Sequence, residues 1–181
     1  MAQKLCDSAV IGLGVMGYPM AGHLVAAGHD VIVFNRTTAK AGAWVVEHGG
    51  SLAATPAEAA EAADLVITIV GNDDDVRSVV YGDTGALASM RSGAVLVEHT
   101  TASASLAREL GSRCSEAGIG FIDGPVSGGQ AGAENGKLTV MCGGDQAVFE
   151  AVLAALGLPR GWRMRLARAF GSQAKLEAAL A

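Results

Sequence analysis

The stretch Val10-Ile11-Gly12-Leu13-Gly14-Val15-Met16-Gly17 constrains the fold more than any other part of the chain. Gly12, Gly14 and Gly17 fit the pattern G-x-G-x-x-G. In that pattern the first glycine permits a tight turn, and the second lets backbone N–H groups approach a pyrophosphate. The third lets a helix pack close to the preceding strand. In a chain with 25 glycines the pattern alone is weak, and its flanks make it specific. Ser8–Ile11 is a short, largely apolar run of strand type, while Met16, Met20, Leu24 and Ala27 recur at helical spacing until Gly28 supplies a stop. Strand, turn and helix together predict a dinucleotide site running through Leu13, Val15 and Met16 as well as the glycines. Its phosphates would meet a helix N-terminus, where unpaired N–H groups and the macrodipole favour an anion.

Composition supports an α/β fold. The 181 residues suffice for one sizeable domain with some left over. Half of them are hydrophobic but only 4% are aromatic, so the core must be built from Ala, Val, Leu and Ile. That suits a doubly wound, mainly parallel sheet covered by small-residue helices. The net charge of −5 argues against a general nucleic-acid surface. No run approaches the roughly 18 apolar residues of a membrane span, and the N-terminus lacks a signal peptide's apolar region. Cys6, Cys114 and Cys142 are odd in number and lack metal-ligand spacing, so they read as reduced thiols of a cytoplasmic protein with no metal.

A second strand, His29–Asn35, ends where an NAD-binding fold usually carries an acidic residue for the ribose 2′-OH. Here Asn35, Arg36 and Thr37 occupy that point. Losing the carboxylate removes repulsion against a 2′-phosphate, Arg36 adds a guanidinium to grip it, and Asn35 and Thr37 add neutral hydrogen-bonding groups. NADP is therefore expected in preference to NAD. The plainer alternative is a solvated strand-end arginine with Thr37 as a helix cap.

Further along, Thr55-Pro56-Ala57-Glu58 is a capping box with proline at the first helical position, and it opens a short helix to Ala63. The strand Asp64–Val70 follows and ends at Gly71-Asn72. Ligands of doubly wound sheets sit outside the carboxyl ends of strands, so Val70, Gly71 and Asn72 are expected to line the cofactor groove. Asp73–Asp75 reads as the acidic first turn of the next helix and not as a metal site. The strand 93–99 leads to Thr100 and Thr101, one of which should face the far end of the groove, and then to a helix over about 103–117. N-capping is the competing role for these threonines. His99 could serve as a general acid, although a lone strand-end histidine is more often structural. A strand over 120–123 precedes Gly124-Pro125-Val126-Ser127-Gly128-Gly129-Gln130, where a hydroxyl and close-approach N–H groups suit a carboxylate or carbonyl oxygen. A turn at Asn135-Gly136, a last strand over 138–142 and a helix over about 146–156 complete this part.

In order, Gly12-Leu13-Gly14-Val15-Met16-Gly17, Phe34-Asn35-Arg36-Thr37, Asp123-Gly124-Pro125-Val126-Ser127-Gly128-Gly129 and Asn135-Gly136-Lys137-Leu138 resemble the β-hydroxyacid dehydrogenase family. This family contains 3-hydroxyisobutyrate dehydrogenase and tartronate semialdehyde reductase. The resemblance covers residues 5 to 156 or so. It implies a Rossmann-like N-terminal domain related to that of 6-phosphogluconate dehydrogenase. It also implies hydride transfer between NAD(P) and a small 3-hydroxy acid or its semialdehyde. By the same resemblance, Ser127, Gly128 and Gly129 would hold the substrate carboxylate and Thr101 would sit at the nicotinamide. Imine reductases share the architecture and reduce C=N instead of C=O.

The C-terminus departs from the family. Gly171-Ser172-Gln173-Ala174-Lys175-Leu176 is similar to the turn that leads to the family's catalytic lysine, which places Lys175 in that role. One turn on, however, stands Ala179 where the family has asparagine, and the helical domain that would close the site is not found in the sequence. The expected organisation is a dinucleotide-binding domain over 1–156. Residues 157–181 then form a divergent basic tail or a truncated start of that helical domain, with Arg160, Arg163, Arg165 and Arg168 crowded together. The implied partners are a small-molecule substrate and, with room left for it, a second copy of the chain. The competing reading is an NADP(H)-binding module without turnover.

Overall fold

The computed structural model describes residues 6–157. Five strands run parallel: β1 (Asp7–Ile11), β2 (Asp30–Phe34), β4 (Leu65–Thr68), β5 (Val95–Glu98) and β6 (Gly120–Asp123), with the two-residue β3 (Ser51–Leu52) added beside β2. The main sheet has the order β3-β2-β1-β4-β5-β6-β9, in which β9 (Gly143–Gly144) pairs antiparallel with β6. The helices are α1 (Gly17–Ala26), α2 (Thr38–His48), α3 (Pro56–Ala60), α4 (Asp73–Val80), α5 (Ala104–Glu116), α6 (Gly129–Glu134) and α7 (Gln146–Ala155). This is the expected doubly wound, Rossmann-like arrangement.

Alternation along the strands builds two cores. Ala9, Ile11, Val66, Leu96 and Phe121 point to one face, where they pack with Ala59 of α3, Val76 of α4 and Leu106 and Leu110 of α5. Val10, Val33, Ile67, Val97 and Ile122 point to the other, against Ala21 of α1, Trp44 of α2 and Phe149 and Leu153 of α7. A strand buried on both faces must be largely apolar, which is why β1 carries the apolar run 9–11 and β4 the run 65–67. Helix caps follow the sequence closely. Thr55 Oγ1 accepts from the Glu58 N–H at 3.0 Å, while the Glu58 carboxylate reaches back to the Ala54 N–H at 2.8 Å, one residue before the usual partner. Ser103 and Asp145 cap α5 and α7.

Two expectations are corrected. The stretch 138–142 is not a strand of the main sheet. Only Thr139–Val140 (β8) is extended, and it pairs with Val126–Ser127 (β7) in a separate two-stranded ribbon. The sheet edge beyond β6 is instead taken by the glycines of β9. At Gly144 a Cβ would lie 2.8 Å from the Phe121 carbonyl oxygen, so only glycine can approach β6 this closely. The Ser127-Gly128-Gly129 loop turns directly into α6, a helix not expected from the sequence. Among the described residues no helix is long and apolar enough to cross a membrane.

Candidate dinucleotide-binding site

The chain leaves β1 toward β2 on one side and reaches β4 on the other, so a crevice opens between the carboxyl ends of β1 and β4. A cleft of about 450 Å³ lies there. Its floor is the turn from Gly12 to Gly17, one wall is the end of β2 with Asn35, Arg36, Thr37 and Lys40, and the other is Val70 and Gly71 with Asp75, Ser78 and Val79. The structure thus brings together most of the residues expected to hold a cofactor.

Each glycine of the turn has a distinct task. Gly12 has φ +104°, and a Cβ there would lie 2.1 Å from the Ile69 carbonyl oxygen. A Cβ on Gly17 would lie 2.0 Å from the Gly12 carbonyl oxygen, so this glycine sets how closely α1 meets the turn. Around Gly14 a Cβ would meet nothing within 4 Å. The fold needs Gly12 and Gly17, whereas no protein atom requires glycine at position 14. Helix α1, which starts from this turn, has no side-chain cap at Met16. Its N-terminus is a fitting place for a phosphate.

The side chains of Asn35, Asn72 and Thr100 are engaged within the protein. The Asn35 side chain is turned inward: Oδ1 accepts from the Leu13 N–H at 3.0 Å and Nδ2 donates to the Thr37 carbonyl at 3.1 Å. It braces the glycine turn while still bordering the cleft. Asn72 does not line the cleft. Its Oδ1 caps α4 by accepting from the Asp74 and Asp75 N–H groups at 2.9 and 3.0 Å. Thr100 is buried, and its Oγ1 accepts from the Val70 N–H at 2.9 Å, which leaves the exposed Thr101 as the threonine open at this end of the sheet. Thr37 precedes α2 but makes no side-chain capping bond, so the capping alternative is not realised.

Lys40, Ser78 and Val79 line the cleft without having been expected there, and so does Asp75, which the sequence marks only as part of an acidic helix start. Lys40 lies one turn into α2 from Thr37, a spacing that would have found it. Arg36 reaches across to Asp75, Nη1 to Oδ1 3.5 Å, with its side chain 90% exposed.

Past the switch point, Glu98 is buried at the end of β5. It accepts from the Thr100 N–H at 2.6 Å and from the Thr68 hydroxyl, tying β4 to β5. Burial pushes its carboxyl above the usual range, against the hydrogen bonds that favour the anion, and burial does the same to Asp123 beside it. His99 is buried and its Nδ1 faces the Gly124 carbonyl. A carbonyl only accepts, so Nδ1 carries the hydrogen; burial holds the imidazole below its ordinary value and neutral. His99 anchors the start of the Gly124–Gln130 loop, the structural role that the sequence reading favours.

Ser127 and Gly128 are exposed at the junction of β7 and α6. Gln130 of α6 shares with Gly14, Val15 and Lys40 a second groove next to the cleft, and His23 Nε2 to the Ala133 carbonyl, 2.9 Å, fixes α6 on α1. The glycine loop is therefore placed on the same side of the sheet as the turn that starts α1. Lys175, the arginine-rich stretch and Ala179 lie outside the described residues. Cys114 and Cys142 are buried thiols pushed up to about 12 and about 11, chiefly by burial, which leaves them unreactive. Among the described residues no cluster of His, Cys, Asp or Glu could hold a metal.

Comparison with known proteins agrees with this geometry. Residues 7–158 match the family model for the NAD binding domain of 6-phosphogluconate dehydrogenase. An uncharacterized oxidoreductase of Shewanella frigidimarina is 62% identical over 144 residues, 80% of this chain and 50% of that protein. The crystal structure of a 3-hydroxyisobutyrate dehydrogenase from Salmonella typhimurium superposes with TM-score 0.76 at 28% identity, over 83% of this chain and 52% of that one. An imine reductase from Myxococcus stipitatus, in complex with NADP+, gives TM-score 0.72 at 29% identity, over 83% and 52%. The chain spans about half the length of the curated relatives it matches. With the fold, the glycine turn and the match over 7–158 in accord, the chain belongs to the family of NAD binding domains of the 6-phosphogluconate dehydrogenase type, with relatives among the 3-hydroxyisobutyrate dehydrogenases.

Proposed function

We propose that this chain is the NADP(H)-holding part of an oxidoreductase that moves a hydride between NADP(H) and a small 3-hydroxy acid or its semialdehyde. The observation that carries the cofactor choice is the end of β2. Asn35 stands where a ribose-binding carboxylate would, and its amide is spent on Leu13 and Thr37. Arg36 and Lys40 face the cleft as cations suited to a 2′-phosphate. The nicotinamide, when bound, supplies or takes up the hydride. The chain's residues bind and orient: the Gly12–Gly17 turn takes the pyrophosphate, and Val70 and Gly71 form the wall opposite Arg36. Thr101 would stand at the nicotinamide end, with Ser127, Gly128 and Gly129 holding the substrate carboxylate. Lys175 would move the proton of the substrate hydroxyl. A general acid–base of this kind typically contributes ~10²–10⁴ in rate.

Likeness to the imine reductase favours a second reading, in which the same cofactor half serves reduction of C=N. One experiment separates the two: NADPH consumption by the purified chain against a panel of small semialdehydes, 3-hydroxy acids and cyclic imines, with NADPH binding recorded alongside. Oxidation of NADPH by semialdehydes supports the dehydrogenase reading, and oxidation by imines alone supports the second. Binding with no turnover on the whole panel, for the wild type and Lys175→Ala alike, would mean that this chain holds the cofactor without placing a proton donor.

A further inference from the structure

Asp75 is the one carboxylate among the described residues that line the cleft, and it faces the arginine assigned above to the 2′-phosphate. Its position is built rather than incidental. The Asn72 Nδ2 group donates to Asp75 Oδ2 at 3.1 Å, while Asn72 Oδ1 accepts from the Asp75 N–H at 3.0 Å. Gly71 makes room for it, since a Cβ there would lie 2.4 Å from Asp75 Oδ2. Asp75 is half-buried, whereas the Arg36 side chain is 90% exposed and its long stem can swing. A fixed carboxylate on one wall thus holds a mobile guanidinium from the other. An anionic phosphate and this carboxylate want the same donor fork, and a guanidinium paired with one is less available to the other.

We infer that Asp75 is a specificity-determining residue: it competes with the 2′-phosphate for Arg36 and so narrows the preference for NADPH over NADH. The inference rests on the cofactor reading above. Because the Arg36 end of the pair is solvent-exposed, the competition is small, and removing it should tighten NADPH about twofold to fivefold. NADH carries no 2′-phosphate, so its affinity should stay within about twofold.

The test is fluorescence titration of the full 181-residue chain with NADPH and with NADH, for wild type, Asp75→Asn and Asp75→Glu, with thermal unfolding measured in parallel. Asp75→Ser takes the place of Asp75→Asn if that variant does not fold. Tighter NADPH binding with unchanged NADH binding in Asp75→Asn, and a wild-type ratio in the charge-keeping Asp75→Glu, supports the inference. Weaker NADPH binding in Asp75→Asn would show that the carboxylate presents Arg36 instead of withholding it, and overturns the inference. So does an equal change for both cofactors. A wild-type chain that binds neither dinucleotide overturns the cofactor reading and this inference with it, an outcome distinct from NADPH binding that is indifferent to residue 75.

Discussion

The Asn35 side-chain oxygen accepts the Leu13 N–H at 3.0 Å, so the end of β2 is bolted to the middle of the glycine turn. Leu13 is fully buried, and this bond orients the turn without touching the cleft's contents. Asn35→Ala leaves the buried Leu13 N–H without this partner. We expect a stability loss of ~1–3 kcal/mol and weaker binding of NADPH and NADH to the same degree. Thermal unfolding and paired titrations check this; a loss confined to NADPH would return Asn35 to the phosphate.

The glycine turn gives a sharper contrast. Gly17→Ala forces a Cβ to within 2.0 Å of the Gly12 carbonyl oxygen, and Gly12→Ala adds strain at φ +104°. Each should lower the unfolding temperature by on the order of 10 °C. Gly14→Ala meets no protein atom within 4 Å and should leave the unfolding temperature within about 2 °C while weakening both dinucleotides. Unchanged binding in Gly14→Ala would remove the pyrophosphate from this turn.

These three glycines show what sequence could and could not deliver. The motif, the helix start and the two-sided apolar strands were readable because each depends on neighbours a few residues apart. The roles of Asn35 and Thr100 were not: each is spent on a backbone N–H in another segment, at Leu13 and at Val70, and such partners become visible only when strands are placed side by side. The ribbon of β7 and β8 was missed for a similar reason. Five apolar or small residues over 138–142 look like a strand, but the vacant edge of β6 is reached by Gly143–Gly144.

Burial also predicts a pH dependence. Burial holds His99 below its ordinary value of 6.5, so the folded chain takes up that proton at lower pH than the unfolded chain, which takes it up near 6.5. Below that pH the unfolded state binds more protons, so stability is fully present above it and is lost as pH falls, by up to ~1.4 kcal/mol per pH unit. Glu98 and Asp123 act in the opposite sense, since carboxyls raised by burial favour the folded state as pH falls. A comparison of wild type with His99→Asn isolates the histidine. Denaturant unfolding from pH 7.5 to 5 should show a shallower acid-side loss in the variant; parallel curves would mean that His99 does not titrate with unfolding.

In the proposed function, the cleft between β1 and β4 holds NADP(H) with Arg36 at the 2′-phosphate. Equilibrium titration of the purified chain with NADPH and NADH, repeated with Arg36→Ala, tests it most directly. Charge-assisted bonds of this kind are worth ~1.5–3 kcal/mol, so Arg36→Ala should weaken NADPH about tenfold to a hundredfold and leave NADH nearly unchanged. Equal losses for both cofactors, or a wild-type chain that prefers NADH, would contradict the account.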